Sequence, residues 1–116
     1  MRDNELKQID QNIKESKLIV KMAEALENLG NSRDFKLVIM EGYFKEEAIR
    51  LVMLRSDPSM QTPERQQSLM AQIDAIGTLN QYFQTVFFKG SIANKAIAAD
   101  EETREEILLE EQGGAA

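Results

Sequence analysis

Apolar side chains recur at alternating steps of three and four residues along long stretches of this 116-residue chain. The first stretch carries this spacing, with one small polar exception, at Leu6, Ile9, Ile13, Ser16, Val20 and Ala23. It is the heptad period of a helix that buries one face against another helix. We therefore predict an all-α chain whose helices pack side by side.

The ends of the first two helices can be read from their capping residues. The first helix is predicted over Asn4–Leu29, with Gly30 at the position after a helix where glycine is favoured. Asn31 or Ser32 can cap the second helix, which should extend to about Arg55. Two apolar stripes on this second helix indicate contact with more than one neighbour. They are Leu37, Met40, Phe44, Ala48 and Leu51, and Phe35, Val38, Gly42, Ile49 and Val52.

A proline-containing break separates the second helix from the third. Pro58 cannot continue a helix, and Thr62 followed by Pro63 is an N-cap with proline at the first helical position. The third helix is predicted from Pro63 to about Lys89 and is closed by Gly90. Its buried seam is predicted at Leu69, Ile73, Ile76, Asn80, Phe83 and Phe87.

The net charge of −6 is concentrated near the carboxyl terminus. Residues 100–111 hold seven of the 20 acidic and one of the 14 basic residues, so the rest holds 13 of each sign. We predict a helical bundle domain over residues 1–97, then a short acidic helix and flexible tail over 98–116, with the final "GGAA" disordered. The neutral body argues against a nucleic-acid partner.

Three long helices of similar length, joined by short connections, favour an antiparallel, coiled-coil-like bundle. Gly42 and Gly77 lie near the middles of the second and third helices. Glycine inside a helix costs about 1 kcal/mol relative to alanine, so a compensating contact is expected. We predict that these two glycines permit a close helix crossing; the alternative is that one of them faces solvent.

Residue types that carry chemistry are scarce. The chain has no cysteine and no histidine, which removes thiolate and imidazole ligands, the cysteine nucleophile and the commonest general base. Glu102 and Glu106 share a helix face, but without histidine they indicate a solvated acidic surface rather than a di-metal site. We expect no enzyme activity and no cofactor. No apolar run approaches the about 20 residues needed to span a bilayer, so no membrane partner is expected.

Candidate interface residues fall into three groups. Tyr43 and Phe88 lie off the main apolar stripes and would be interface anchors if exposed. Asn80 interrupts an apolar seam, where asparagine can fix register and oligomeric state, or it lies partly exposed at the helix edge. The heptad around Ile9 and Ile13 either folds back on its own chain or pairs with another chain.

Residues 25–90 resemble small helical proteins encoded by tailed bacteriophages. The resemblance rests on the run from "DFK" to "EGYFKEEAIRL", the Asp57–Pro58 break and the following "AIGTLNQYF". Such proteins are commonly virion or morphogenesis components. The resemblance implies a location in the host cytoplasm or the virion, and it carries over no catalytic residue.

Two functions are compatible with these features. The first is a non-enzymatic phage protein that acts by protein–protein contact in virion structure or assembly, as a homo-oligomer or with another phage protein. The alternative is a phage regulator that inhibits a host or defence protein through its acidic carboxyl-terminal segment, with Glu102 and Glu106 among the contacting residues.

Overall fold

A computed structural model describes residues 2–114, nearly all of which are helical. In chain order the elements are α1 (Arg2–Gly30), α2 (Arg33–Phe35), a π-helix (Lys36–Glu47), α3 (Ala48–Arg55), a 3₁₀ turn (Pro58–Met60) and α4 (Pro63–Gly114). No strand occurs between residues 2 and 114. The prediction of an all-α chain is therefore confirmed.

Helix α1 ends where the sequence predicts, at Gly30. The chain then turns through Ser32, whose backbone N–H donates to the carbonyl oxygen of Leu29 at 3.0 Å. The Ser32 hydroxyl in turn accepts a hydrogen bond from the backbone N–H of Phe35 at 3.3 Å. Ser32 is thus the N-cap of the next helical stretch, because its oxygen satisfies a donor that the first turn leaves free.

Helix α2, the π-helix and α3 follow without interruption over residues 33–55, called the middle helix below. Phe35, Ile39, Phe44 and Ala48 are among its less exposed residues and are spaced four or five apart. A π-helix bonds each residue to the fifth one along, so its turn is wider than that of an α-helix. The sequence prediction assumed α spacing and placed Leu37 and Met40 on one apolar stripe with Phe44, Ala48 and Leu51. That placement is wrong, since these side chains are 65% and 45% exposed.

Two glutamine side chains fasten the connection between the middle helix and α4. The Gln66 amide nitrogen donates to the backbone carbonyls of Arg55 at 3.0 Å and Met60 at 2.8 Å. The Gln61 amide nitrogen donates to the carbonyls of Arg55 and Asp57, each at 2.8 Å. The carbonyl of Arg55 at the end of α3 lacks a partner within the helix, and these amides supply one.

We expect Gln66→Ala to lower the free energy of unfolding by about 1–2 kcal/mol. A hydrogen bond contributes about 0.5–1.5 kcal/mol net to stability, and the Gln66 side chain makes several hydrogen bonds near the surface. Gln67→Ala, at the exposed neighbouring position, is the matched control and should change stability by less than about 0.5 kcal/mol. Chemical denaturation of both variants measures the difference. Equal effects would mean that the Gln66 amide does not fasten the connection.

Asp57 caps the 3₁₀ turn inside this connection. Its carboxylate accepts hydrogen bonds from the Ser59 hydroxyl at 2.6 Å and from the Ser59 backbone N–H at 2.8 Å. Both bonds favour the charged form, and together they hold the pKa of Asp57 below its ordinary value. Asp57 is half-buried, and both of its bonds stay within two residues, so this cap shapes the turn locally.

Helix α4 begins as predicted, with the Thr62 hydroxyl accepting from the backbone N–H of Arg65 at 3.3 Å and Pro63 as its first residue. Its 52 residues continue through Gly90 to Gly114. The predicted helix end at Gly90 and the separate acidic helix are therefore wrong.

The predicted boundary between residues 97 and 98 also lies inside α4, where the structure has no break. Of the tail predicted to be disordered, Gly113 and Gly114 belong to α4, whereas Ala115 and Ala116 lie outside the described residues.

Contacts divide the chain into two units. The central unit is Leu26–Thr85, and the terminal unit joins Met1–Ala25 to Val86–Ala116. Each unit has its own small set of buried side chains.

The core of the central unit consists of Leu51, Leu69 and Ile76. The rings of Phe44 and Phe83 add an edge-to-face pair with centroids 5.9 Å apart. Arg55, at the end of the middle helix, contacts Gln66 near the start of α4. Phe44, which precedes Arg55, contacts Phe83, which follows Gln66. The two segments therefore run in opposite directions.

In the terminal unit, α1 and the last half of α4 pair in the same manner. Asp10 accepts a hydrogen bond from Arg104 at 3.1 Å, and Ala23 lies against Gly90. The side chains of Ile13, Val86 and Ala93 are buried here. Within α1, Ile13 and its half-buried neighbours Leu6, Ile9, Ser16, Val20 and Ala23 form the less exposed face, as the heptad spacing predicts.

Candidate contact surface

Many large apolar side chains are exposed between residues 2 and 114. Within that part of the chain, six hydrophobic residues are buried, whereas 17 large hydrophobic side chains are exposed. Scattered exposed apolar residues are normal, but groups of them on one face mark an interaction site. The structure therefore offers surfaces for contact with another molecule.

The predicted crossing of Gly42 and Gly77 is wrong. A Cβ atom added at Gly77 would meet no atom within 4 Å, so this glycine faces open space. A Cβ at Gly42 would meet the carbonyl oxygen of Leu37, in its own π-helix, at 3.3 Å. Neither glycine lies against another helix.

The close approach occurs instead at Gly90, which the sequence prediction treated as a helix end. A Cβ at this position would lie 2.5 Å from the Cβ of Ala23. Side chains essentially never approach so closely, so only glycine fits here without a shift of one helix. Glycine in the middle of α4 therefore allows α1 to approach closely at this point.

Tyr43 is half-buried and packs against the core of the central unit, with its ring 5.8 Å from that of Phe44. It also borders an open cavity of about 260 Å³ lined by Tyr43, Glu47, Arg50, Leu51, Gln72 and Ala75. Glu47 and Arg50 form an ion pair with each other. The charges of Glu47 and Arg50 at the cavity therefore neutralise each other. Tyr43 packs against the core of its own unit.

Phe88 differs from Tyr43 in being 67% exposed. Ile92, one helical turn further along α4, is 52% exposed. Phe88 was predicted to be an interface anchor if exposed, and it is exposed. Its role as an anchor stays a prediction.

Asn80 is exposed and does not lie in the buried seam of α4. Leu69, Ile73, Ile76 and Phe83 are on the seam as predicted, whereas Leu79 and Val86 take the places predicted for Asn80 and Phe87. Phe87, predicted in the seam, is 46% exposed for the same reason. The alternative for Asn80, exposure at a helix edge, is what the structure has.

Ile9 and Ile13 belong to the α1 face that is turned inward, and Ile13 is 5% exposed. They fold back within the terminal unit, which was one of the two predicted possibilities. Glu102 and Glu106 are both exposed on α4. Their neighbour Arg104 is engaged by Asp10, so these carboxylates are open to a partner while the helix that carries them is held by α1.

Groups of cysteine, histidine, aspartate or glutamate arranged to hold a metal ion do not occur within residues 2–114. None of the helices in this range has both the length and the apolar character required to cross a bilayer. Comparison with known proteins finds no family model, no curated protein and no solved structure that matches the chain. Function must therefore be inferred from the surfaces themselves.

Proposed function

We propose that this chain is a non-enzymatic phage protein that acts by protein–protein contact, as a structural or assembly component of the virion. The observation that carries the proposal is the surplus of exposed apolar side chains over buried ones in residues 2–114. The sequence resemblance over residues 25–90 supports the phage origin. It also supports a location in the host cytoplasm during assembly and in the particle afterwards.

The outer faces of the helices support an assembled state. Leu18 on α1, Leu37 on the middle helix and Phe88 on α4 are 62%, 65% and 67% exposed. Groups of large apolar side chains left exposed are typical of surfaces that a partner covers. Antiparallel helix pairs with unsatisfied outer faces can complete a larger helical bundle when chains associate.

Co-sedimentation tests the proposal. The chain is expressed with a small tag from its own gene during phage growth, and the lysate is separated by size. We expect the tagged chain to migrate with phage particles or their precursors. Migration only as a free chain, or with a single host enzyme, would contradict an assembly role.

A second candidate is a regulator that binds a basic host or defence protein. The observation in its favour is the exposure of Glu101, Glu102, Glu105 and Glu106 on a helix that Arg104 anchors to Asp10. Replacing these four glutamates with glutamine removes their charge while keeping good helix formers. If binding to a basic host protein survives this change, charge mimicry by residues 98–116 is wrong.

A further inference from the structure

The solvent-facing side of α3 carries apolar side chains, whereas an amphipathic helix with one buried face would carry polar ones there. Ile49, Val52 and Met53 lie at steps of three and four, on one side of the helix. They are 56%, 55% and 70% exposed. Leu51, on the opposite side, is 1% exposed and belongs to the core of the central unit. The middle helix thus has a second apolar face that this chain leaves open.

A row of exposed side chains continues this face along the whole middle helix. Every fourth residue belongs to it, namely Leu37, Glu41, Lys45, Ile49 and Met53, and all are exposed. A step of four lies between one α-helical turn and the wider π turn, so the row stays on one side of the helix. Glu41 and Lys45 form an exposed ion pair of 3.6 Å between the apolar ends.

This order of side chains is complementary to itself when read in opposite directions. Two copies of the helix can be placed antiparallel so that Glu41 lies beside the partner's Lys45. The same register places Leu37 beside the partner's Ile49. Over Leu37 to Ile49, opposite charges and apolar side chains therefore match simultaneously, as an interface with two-fold symmetry requires. Met53 lies beyond this matched stretch, opposite residue 33 of the partner.

We propose that a second copy of this chain binds this outer face, which we call the dimer row (Leu37, Glu41, Lys45, Ile49 and Met53). The proposal rests on the proposed function of protein–protein contact and names the partner and the surface. One observation favours another copy over an unrelated partner, namely the self-complementary order of charged and apolar side chains along this row.

The mass of the purified full chain, measured by sedimentation equilibrium across micromolar concentrations, tests the dimer row. We expect wild type to dimerise and Leu37→Glu to raise the dimer dissociation constant at least about 100-fold, because a carboxylate replaces an apolar contact on both copies. Leu18→Glu is the matched control. Leu18 is 62% exposed against 65% for Leu37 but lies on α1, and its replacement should leave the constant within about threefold. Circular dichroism of both variants verifies that the helices remain.

Charge reversal tests the antiparallel register. Glu41→Lys and Lys45→Glu should each weaken the dimer about tenfold, and the double variant should restore it, because the opposite charges then face each other again. Failure of the double variant to restore the dimer would overturn the register.

The outcomes separate this inference from the proposed function. Wild-type dimers unaffected by Leu37→Glu would overturn the dimer row but leave an assembly role intact. A wild-type monomer at all concentrations would overturn both the dimer row and self-association, leaving contact with a different protein. Co-sedimentation with particles tests that remaining role independently.

Discussion

We expect Leu51→Ala to lower the free energy of unfolding by about 2–5 kcal/mol, the range for large-to-small changes in a core. Leu51 is 1% exposed and contributes to a core with only two other buried members, Leu69 and Ile76. A cavity there removes the contacts of Leu51 with the close-packed side chains around it. Urea denaturation followed by circular dichroism measures the loss.

Leu18→Ala is the matched control for this change, since Leu18 is 62% exposed. It should alter stability by less than about 0.5 kcal/mol. A loss below about 1 kcal/mol for Leu51→Ala would contradict the position of the core, because exposed side chains give effects of that size.

The second large effect is expected at Gly90. Alanine normally stabilises a helix by about 1 kcal/mol relative to glycine. At this position the new Cβ would lie 2.5 Å from the Cβ of Ala23, which is fixed to its backbone and cannot move aside. We therefore expect Gly90→Ala to destabilise the chain by about 1–3 kcal/mol, the usual cost of overpacking.

Two further variants make the Gly90 test specific. Gly77→Ala should stabilise by about 1 kcal/mol, since open space surrounds that position and only helix propensity acts. Ala23→Gly should recover part of the loss in the Gly90→Ala background, because it removes the atom that clashes. Stabilisation by Gly90→Ala equal to that of Gly77→Ala would mean that α1 and α4 do not approach at this point.

Features that depend on residues close together in the sequence could be predicted from the sequence. The inward face of α1 follows directly from its heptad, with Ile13 at its most buried point. Ser32 and Thr62 begin helices because their hydroxyls bond the free N–H groups of the following turn. These effects operate within a few residues and can be read without knowledge of the fold.

Features that depend on tertiary contact were missed. The role of Gly90 is set by Ala23, which is distant in sequence, so local rules gave a helix end where α4 continues. The π-helix changes the spacing of inward residues, and α periodicity therefore misplaced Leu37 and Met40. The sequence did contain a signal for the π-helix, because Phe35, Ile39 and Phe44 are separated by steps of four and five residues.

The two apolar stripes of the middle helix were predicted to contact more than one neighbour. Ile49 and Val52 of the second stripe are exposed, so a neighbour on that side stays a prediction. Tyr43 was predicted to be an anchor if exposed, but it is half-buried and packs against Phe44 and the core of the central unit. Single aromatic residues were thus weaker guides than the chemistry of a whole helix face.

Measuring the mass of the unmodified chain in solution tests the central claim most directly. The claim is that the apolar outer face of the middle helix is covered by another copy. Sedimentation equilibrium at micromolar concentration should give about twice the chain mass of 13.2 kDa. A single species of 13.2 kDa throughout the concentration series would contradict it.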